Sequence, residues 1–453
     1  HIPIVTARRD AVALCSWEAG IPQSEGTSIT GTFEAQEGTR ALLVLAAAHQ
    51  EPLVMPTRAE AEQRLDLTIA FLQRWSDELT YEGPWRDAVV RSALTLKALC
   101  FAPSGAIAAA TTTSLPEDIG GERNWDYRFC WIRDAAFTLD ALLRLGRHSE
   151  VDAFFWWFLH ATQLTRPRVQ VLYRLDGGDH APEVSLSFEG YRRSAPVRVG
   201  NAASKQLQLE IYGDLFDTVH RYVQGGHTLD VETARRLSQT ADLVCQIWRE
   251  PDFSMWEVRM QPRHFIHSKA MCWVALDRAI ALASATHVPA HNIGRWRREA
   301  EEIREFVEHH GWSERLGSYV RFAGSDEVDA SLLLLPIVGY CDPRSRRSLG
   351  TIDAVRRTLS RGPFVYRYLG GDGLIGSEGV FLTCSFWLVQ ALGLAGRSDE
   401  ASRLMDQLVG LANDVGLYSE EIDARSDEFL GNFPQALVHL ALIGAPHALS
   451  ERR

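Results

Sequence analysis

The sequence has little lysine, no cysteine motif and no long apolar run. Lysine occurs only at positions 97, 205 and 269, so arginine carries almost all of the positive charge, a bias typical of GC-rich bacterial genomes. No apolar run reaches the roughly 18 residues that a membrane span needs. The seven cysteines are scattered and never spaced as CxxC, which predicts neither a disulfide framework nor a zinc site. A reducing cytoplasm is therefore the expected location.

The charge balance is acidic, with a net charge of −11 at pH 7. Because such a surface repels phosphate backbones, nucleic-acid binding is disfavoured and a small neutral or polar substrate is favoured. No membrane partner is predicted, and a homo-oligomer is left open. The first residue is His and no signal segment follows it, so we expect a trimmed N terminus with further sequence upstream.

A change of pattern divides the chain in two. Residues 1–55 contain two stretches with partial period-two alternation, TSITGTFEAQ and TRALLVLAAA, which predict short strands. Thr57 and Glu60 then form a T-x-x-E capping box at the start of a helix over 57–79. We predict a β-rich N-terminal segment over 1–55, the remnant of a β-sandwich, and a helical domain over 56–453.

Helical periodicity dominates the second part. Some predicted helices are apolar all round, as in 381–396, whereas a neighbour over 401–413 is amphipathic. Such alternation predicts a closed double ring of inner and outer helices. The helices predicted after 57–79 lie over 84–101, 133–146, 149–163, 203–224, 231–249, 265–285, 290–310, 328–339, 350–360, 379–395, 399–412 and 432–445.

The connections between helix pairs are long and rich in Gly, Trp, Tyr, Asp, Glu and Arg. Loops longer than about 12–15 residues are usually functional or disordered, and these are too aromatic to be disordered. We expect them to converge on one face. They cover 115–132, 177–201, 251–264, 363–379 and 414–431.

One candidate catalytic segment is PDFSMWEVRMQPRHF. Glu257 follows Met255 and Trp256, and apolar surroundings raise the pKa of a carboxyl, which suits a general acid. Arg259 argues mildly against this, because a guanidinium stabilises the ionised form. Taken alone, the segment reads first as an ordinary surface loop, so a catalytic interpretation needs a partner carboxylate elsewhere.

A second candidate is GLYSEEIDARSDEFLGNFPQ, in which Glu420 and Glu421 are adjacent. Neighbouring side chains of an extended segment point to opposite sides, so only one of the two can face a given cavity. Taken alone, this stretch is first interpreted as a solvated acidic turn. Two carboxylates from distant segments, one in apolar and one in polar company, are nevertheless the arrangement that glycoside hydrolysis needs.

The stretch NWDYRFCWIRD combines rings and charges. Arg133 and Asp134 can donate to and accept from vicinal hydroxyls, while Trp125, Tyr127 and Trp131 offer flat apolar faces to a sugar ring. This composition predicts a pyranose pocket. An aromatic hairpin that pins two helices remains the structural alternative.

Several long segments together resemble glycoside hydrolase family 15, the inverting glucoamylases and their bacterial relatives, which include trehalases and glucodextranases. They occur in family order over residues 56 to 446. The segments are SLPEDIGGERNWDYRFCWIRDAAFTLDALLRLG, EGYRRSAPVRVGNAASKQLQLEIYGDLFD, MWEVRMQPRHFIHSKAMCWVALDRA, YRYLGGDGLIGSEGVFLTCSFWLVQALGLAG and GLYSEEIDARSDEFLGNFPQALVHLALIGA.

The resemblance implies an all-α (α/α)6 barrel and an exo-acting hydrolase that releases β-glucose from the non-reducing end of an α-glucoside, trehalose or a short α-gluco-oligosaccharide. Glu257 matches the family's general acid and Glu420 its general base. No cofactor and no metal are expected. The residues expected to bind the sugar are Arg133, Asp134, Tyr127, Trp131 and Arg367, with Trp125 and Trp256 from the same motifs.

Two features separate the chain from fungal glucoamylases. Val258 stands where those enzymes have a second acidic residue, which favours the bacterial trehalase-like branch. The β-like sequence before the first helix is also shorter than a full β-sandwich. Two other functions stay open: a sugar-binding (α/α)6 protein without catalysis, and a phosphorylase on the same fold, which would need a cationic phosphate site near the base.

Overall fold

A computed structural model describes residues 2–26 and 28–450 of the chain. Its contacts divide the chain into two compact units that meet between Glu78 and Leu79. This boundary follows the first helix, whereas the change in sequence pattern precedes it. The division at 55/56 therefore stays a prediction.

The N-terminal unit contains strands β1 to β5 and helix α1. Three strands form an antiparallel sheet in the order β1-β2-β5, and β3 pairs with β4. The stretch TRALLVLAAA is a strand as predicted, but TSITGTFEAQ is a strand only over β4, and its first residue, Thr27, lies outside the described residues. The elements are β1 (Ile4–Ala7), β2 (Asp10–Trp17), β3 (Gln23–Glu25), β4 (Ser28–Thr30), β5 (Leu42–His49) and α1 (Arg58–Asp77).

The predicted capping box starts helix α1. The Thr57 hydroxyl accepts a hydrogen bond from the backbone N–H of Glu60, and the Glu60 carboxylate accepts one from the backbone N–H of Thr57 at 2.7 Å. Each side chain thus satisfies one of the N–H groups that a helix start leaves open. The helix begins one residue after Thr57, where the sequence pattern places it.

The second unit is mostly helical. The helices are α2 (Arg86–Leu99), α3 (Arg133–Arg144), α4 (His148–Gln163), α5 (Glu210–Gln224), α6 (Val231–Ile247), α7 (Ile266–Ser284), α8 (Ile293–His310), α9 (Leu334–Ile337), α10 (Arg346–Leu359), α11 (Leu382–Leu394), α12 (Ser398–Val409) and α13 (Ala436–Ser450). The 3-10 turns are Tyr191–Arg193, Ala202–Lys205 and Ala330–Leu333.

Short strands lie in the connections. They are β6 (Thr113–Pro116), β7 (Asn124–Asp126), β8 (Cys130–Trp131), β9 (Leu172–Tyr173), β10 (Val184–Leu186), β11 (Val197–Val199), β12 (Trp312–Ser313), β13 (Ser318–Tyr319), β14 (Ser360–Arg361), β15 (Phe364–Val365), β16 (Val380–Phe381), β17 (Glu421–Ile422) and β18 (Phe429–Leu430). The strands β16, β17 and β18 form a small sheet, and the others pair two by two.

Every predicted helix from 84 onward has a counterpart. The bounds of α10 and α13 differ from the predictions over 350–360 and 432–445 by up to five residues, and two other helices differ more. The helix predicted over 203–224 begins at Glu210, because Asn201 caps a separate 3-10 turn that ends before an extended residue, Gln206. The helix predicted over 328–339 is a 3-10 turn followed by the four-residue α9, which contains Pro336. Proline lacks the N–H that a longer helix would use.

Odd-numbered helices from α3 onward form the inner layer. Helix α3 packs on α5, α5 on α7, and α7 on α9 and the turn before it; α9 then packs on α11, α11 on α13, and α13 on α3. Even-numbered helices pack on the outside of this series, as α8 does on α7 and α12 on α11. The apolar α11 is buried almost throughout, whereas the amphipathic α12 buries only one face, as its sequence predicts.

None of the helices within the described ranges is both long and apolar enough to cross a membrane.

Candidate active site

A single cavity gathers side chains from the loops and from the starts of inner helices. Four of the five chemistry-rich loops predicted from the sequence line it directly. The fifth, 177–201, reaches its rim through Glu183, 3.4 Å from Arg259. The expected convergence is thus confirmed. The lining residues are Glu117, Arg123, Trp125, Tyr127, Arg133, Met255, Trp256, Glu257, Val258, Arg259, Arg367, Tyr368, Asp372, Leu374, Phe381, Glu420 and Gln435.

Glu257 projects into this cavity from the 251–264 loop. Two backbone hydrogen bonds between Asp252 and Arg263, at 2.8 and 2.9 Å, close the base of the loop. Glu257 itself has φ = 58°, a left-handed conformation that costs a residue other than glycine about 1–3 kcal/mol and is typical of functional sites. The surrounding structure therefore holds the Glu257 backbone in a conformation that the residue would not adopt freely, and this fixes the position of the carboxylate.

Two polar groups lie next to the buried Glu257 carboxylate. The indole N–H of Trp131 donates to Glu257 Oε1 at 2.6 Å, and an Arg133 guanidinium nitrogen lies 4.0 Å from the same oxygen. Burial raises the pKa of Glu257, and the opposing effects of Arg133 and Trp131 do not cancel it. A carboxyl that retains its proton at higher pH than usual can act as an acid.

Glu420 lies in the same cavity, at the start of β17. The Tyr127 hydroxyl donates to Glu420 Oε1 at 2.5 Å, while no donor in the described part of the chain reaches the buried Oε2. A side chain at Gly431, where φ is 72°, would place its Cβ 2.7 Å from Oε2. Glycine is therefore required there to let the backbone approach the carboxylate.

Charged side chains of both signs act on the Glu420 carboxyl. Burial raises its pKa well above the usual range and Glu117 adds to the rise, while Arg367 and the Tyr127 hydroxyl oppose it. Once ionised, such a carboxylate is a stronger base than an exposed one.

Glu421 points away from the cavity, as the alternation of an extended segment predicts. Its two oxygens accept hydrogen bonds from Arg367 at 2.9 Å and from the backbone N–H of Gly379 at 2.8 Å. Arg367 also contacts Glu117 and Glu378. One group of acidic, His or Cys side chains among the described residues has a spacing that could hold a metal ion, and it consists of Glu117, Glu378 and Glu421. The Arg367 guanidinium already donates to all three.

Arg133 and Asp134 occupy the first turn of α3. Arg133 Nε donates to Asp134 Oδ1 at 2.7 Å, and a terminal nitrogen of Arg133 donates to the carbonyl of Met255 at 3.0 Å. Arg133 lines the cavity, but Asp134 and Trp131 do not, and each lies directly behind a lining residue. The buried Oδ2 of Asp134 has no hydrogen-bond partner within the described ranges.

The donors to the two candidate catalytic groups touch each other. The rings of Tyr127 and Trp131 meet edge to face with centroids 5.2 Å apart. Because Tyr127 donates to Glu420 and Trp131 to Glu257, one aromatic pair positions both carboxylates. The indole N–H of Trp256, which also lines the cavity, donates to the Asp329 carboxylate at 2.9 Å, and this hydrogen bond holds the Trp256 ring in place.

Sequence reasoning missed several charged residues at this site. Asp372, within GGDG, accepts two hydrogen bonds from Arg123 at 2.8 and 3.1 Å, and both side chains are buried. Glu117, next to the NWDYRFCWIRD stretch, is buried against Arg367. The available signal was the position of these residues inside the long segments that carry the family resemblance. Their partners lie about 250 residues away and could not be paired from the sequence.

Known proteins resemble this chain in sequence and in fold. The family model described as "Glycosyl hydrolases family 15" matches residues 83–447. A trehalase of Thermoplasma acidophilum is 38% identical over 400 residues, which cover 88% of this chain and 68% of that protein. A trehalase of Mycobacterium tuberculosis is 38% identical over 429 residues, which cover 93% of this chain and 62% of that protein. The chain thus spans about two thirds of the length of these curated relatives.

Among solved structures, a bacterial glucoamylase complexed with acarbose superposes with a TM-score of 0.71 at 14% identity, covering 99% of this chain and 73% of that one. A likeness at this identity shows a shared, glucoamylase-like fold. Since the family model matches most of the chain, and a relative well above 30% identity covers it almost fully, the chain belongs to the glycosyl hydrolases family 15.

Proposed function

We propose that this chain is the catalytic part of an inverting glycoside hydrolase that cleaves trehalose. The observation that carries the proposal is that Glu257 and Glu420 line one cavity, each held by its own aromatic donor. Inversion needs two carboxyl groups on opposite sides of the scissile bond, roughly 6.5–9.5 Å apart, with a water molecule beside one of them. The names of the relatives, trehalases at 38% identity, supply the substrate.

We also infer that the helices form an (α/α)6 barrel. The packing order described above runs from α3 through α5, α7, α9 and α11 to α13 and returns to α3. A closed ring of this kind with an outer helix against each inner pair is what the sequence alternation predicts. The cavity then lies at the end of the barrel where α3, α11 and α13 begin.

In the proposed reaction, Glu257 is the general acid. Its carboxyl donates a proton to the glycosidic oxygen as the bond to the anomeric carbon breaks, so the leaving sugar departs as a neutral alcohol. The raised pKa of Glu257 keeps the proton available, and the N–H of Trp131 holds the carboxyl in place and stabilises the carboxylate that remains.

Glu420 is the general base. Its carboxylate accepts a hydrogen bond from a water molecule and takes its proton as the water oxygen attacks the anomeric carbon from the other face. The Tyr127 hydroxyl holds Oε1 and keeps the carboxylate oriented. No covalent intermediate forms, and the configuration at the attacked carbon is inverted.

The remaining side chains bind the non-reducing glucose. Arg133 and Arg367 donate to hydroxyls, and Tyr127 and Trp256 supply apolar walls. Trp125 lines the cavity beside Arg259. The buried Asp134 and Trp131 act indirectly, because they hold Arg133 and Glu257 in place. A cavity closed at one end admits a single chain end, which makes the enzyme exo-acting.

The two alternative functions are less well supported. The carboxylates of Glu117, Glu378 and Glu421 beside Glu420 repel a phosphate nucleophile, so a phosphorylase is disfavoured. A sugar-binding protein without catalysis does not need two carboxylates with raised pKa values in one cavity. Location in a reducing cytoplasm and the oligomeric state stay predictions.

Proton NMR of the first turnovers tests the mechanism. Inversion of trehalose gives one β-glucose from the attacked unit and one α-glucose from the leaving unit, so the two anomers appear in equal amounts before mutarotation. Retention gives α-glucose alone. An early spectrum without β-glucose would therefore refute the proposed roles, and formation of glucose 1-phosphate in phosphate buffer would favour a phosphorylase.

A further inference from the structure

At the rim of the cavity, two guanidinium groups and one carboxylate surround an indole ring. The Cζ atoms of Arg198 and Arg259 lie 4.7 and 5.3 Å from the ring centroid of Trp125. Glu183 bridges the two arginines, with its Oε1 3.4 Å from Arg198 Nε and its Oε2 3.4 Å from an Arg259 terminal nitrogen. We call these four residues the rim cluster.

The rim cluster is built from three separate loops, and hydrogen bonds to backbone groups hold two of its side chains. Arg198 donates to the carbonyls of Glu122 and Asn124, both at 2.8 Å. Glu183 Oε2 accepts from the backbone N–H of Ala202 at 3.2 Å. The backbone N–H of Arg259 donates to the carbonyl of Asp372 at 2.7 Å, which fixes the main chain at that residue. The side chains of Arg198 and Glu183 are therefore positioned before any ligand arrives.

The position of the rim cluster relative to Glu257 indicates which sugar of the substrate it would contact. Arg259 is two residues from Glu257, and Trp125 is two residues from Tyr127, which holds the base. All four of these residues line the same cavity. A general acid lies beside the glycosidic oxygen. The leaving sugar is attached to that oxygen on the side nearer the opening of the cavity, so side chains next to the acid on that side would contact it.

We propose that the rim cluster is the binding site for the leaving sugar and that Glu183 selects it. This inference rests on the proposed function. The carboxylate of Glu183 and the N–H groups of Arg259 match neighbouring hydroxyls of a pyranose, and the Trp125 face matches its apolar side. The ligand class is a neutral hexopyranose in α-linkage, because the Glu183 carboxylate accepts hydrogen bonds from hydroxyls but repels an anionic group.

Val258 supports this reading. It lines the cavity but is apolar and buried, so the residue directly after the acid offers no side-chain hydrogen bond to the leaving sugar. The polar groups on this side of Glu257 come instead from Arg259 and from the loop that carries Glu183. The leaving sugar is thus recognised through contacts across loops, which sequence motifs around the acid do not reveal.

Comparison of two substrates tests the proposal. Trehalose places a glucose in the rim cluster, whereas α-glucosyl fluoride occupies the glucose site with a leaving group too small to reach it. We expect Glu183→Gln to lower kcat/KM for trehalose about 10–100-fold, the loss of one or two hydrogen bonds to a charged group, and to change kcat/KM for α-glucosyl fluoride less than about 3-fold.

The matched control is Glu189→Gln, in the same loop but with its side chain 73% exposed, which should alter neither rate. Thermal melting checks that both variants fold. If Glu183→Gln lowers both rates equally, or lowers neither, the proposal is wrong. A second variant, Glu183→Asp, keeps the charge but withdraws the carboxylate by one methylene; it should show the same selective loss and decides the matter if Glu183→Gln does not fold.

The substrates that the unmodified protein cleaves distinguish a failure of this proposal from a failure of the proposed function. Cleavage of α-glucosyl fluoride and isomaltose but not trehalose would refute the substrate, and the same rate comparison on isomaltose would then decide the role of the rim cluster. A protein inactive on all three substrates refutes both proposals.

Discussion

Replacing Tyr127 by Phe removes one hydroxyl and leaves the ring in contact with Trp131. The lost hydrogen bond, 2.5 Å long, ends on the buried Glu420 carboxylate. A hydrogen bond to a charged group is worth about 1.5–3 kcal/mol, and one pKa unit corresponds to about 1.4 kcal/mol. Because the hydroxyl stabilises the ionised form, its removal should raise the pKa of Glu420 by about 1–2 units.

The pH profile of kcat/KM reports the essential groups of the free enzyme, one on each limb. Tyr127→Phe should therefore move one limb to higher pH by about 1–2 units. Trp131→Phe removes the donor to Glu257 and should move the other limb, also to higher pH, by a similar amount. Hydrolysis of trehalose or α-glucosyl fluoride followed from pH 4 to 10 gives both limbs.

Each outcome has a clear meaning. Two different limbs moving upward supports separate donors for the two carboxylates. If both variants move the same limb, the two groups do not have separate roles, and if either variant moves a limb to lower pH, its hydrogen bond does not stabilise the ionised form. Melting curves distinguish these effects from loss of folding.

Three further predictions concern the same site. Glu257→Gln and Glu420→Gln should each lower kcat about 10²–10⁴-fold without lowering the melting temperature, and near-normal activity in either variant would reject that residue's role. Gly431→Ala should destabilise the protein by about 1–3 kcal/mol in urea unfolding and lower kcat, because its Cβ would lie 2.7 Å from Glu420; an unchanged protein would contradict the required close approach. Asp372→Asn should cost about 1–3 kcal/mol of stability, because buried Arg123 loses one charged acceptor and keeps only Glu378, 3.9 Å away, as an acidic neighbour; an unchanged stability would show that water replaces the carboxylate.

Local patterns were sufficient for most elements of the fold. Helix periodicity and the capping box at Thr57 depend on neighbours within a few residues, so the sequence contains all of the required information. The same holds for the opposite orientations of Glu420 and Glu421, which follow from the geometry of an extended segment. The prediction was less accurate at α5 and α9, where an Asn201 cap and Pro336 interrupt an otherwise helical pattern.

By itself, the sequence determined the helical class, the family, and the two segments that carry Glu257 and Glu420, because each depends on residues close together in the chain. Only the tertiary structure decided which side chains act on those carboxylates. Tyr127 is 293 residues from Glu420, and Trp131 is 126 residues from Glu257. A pKa depends on burial and on charges within a few ångströms, and those neighbours are brought together by packing of the inner helices, which no local pattern encodes.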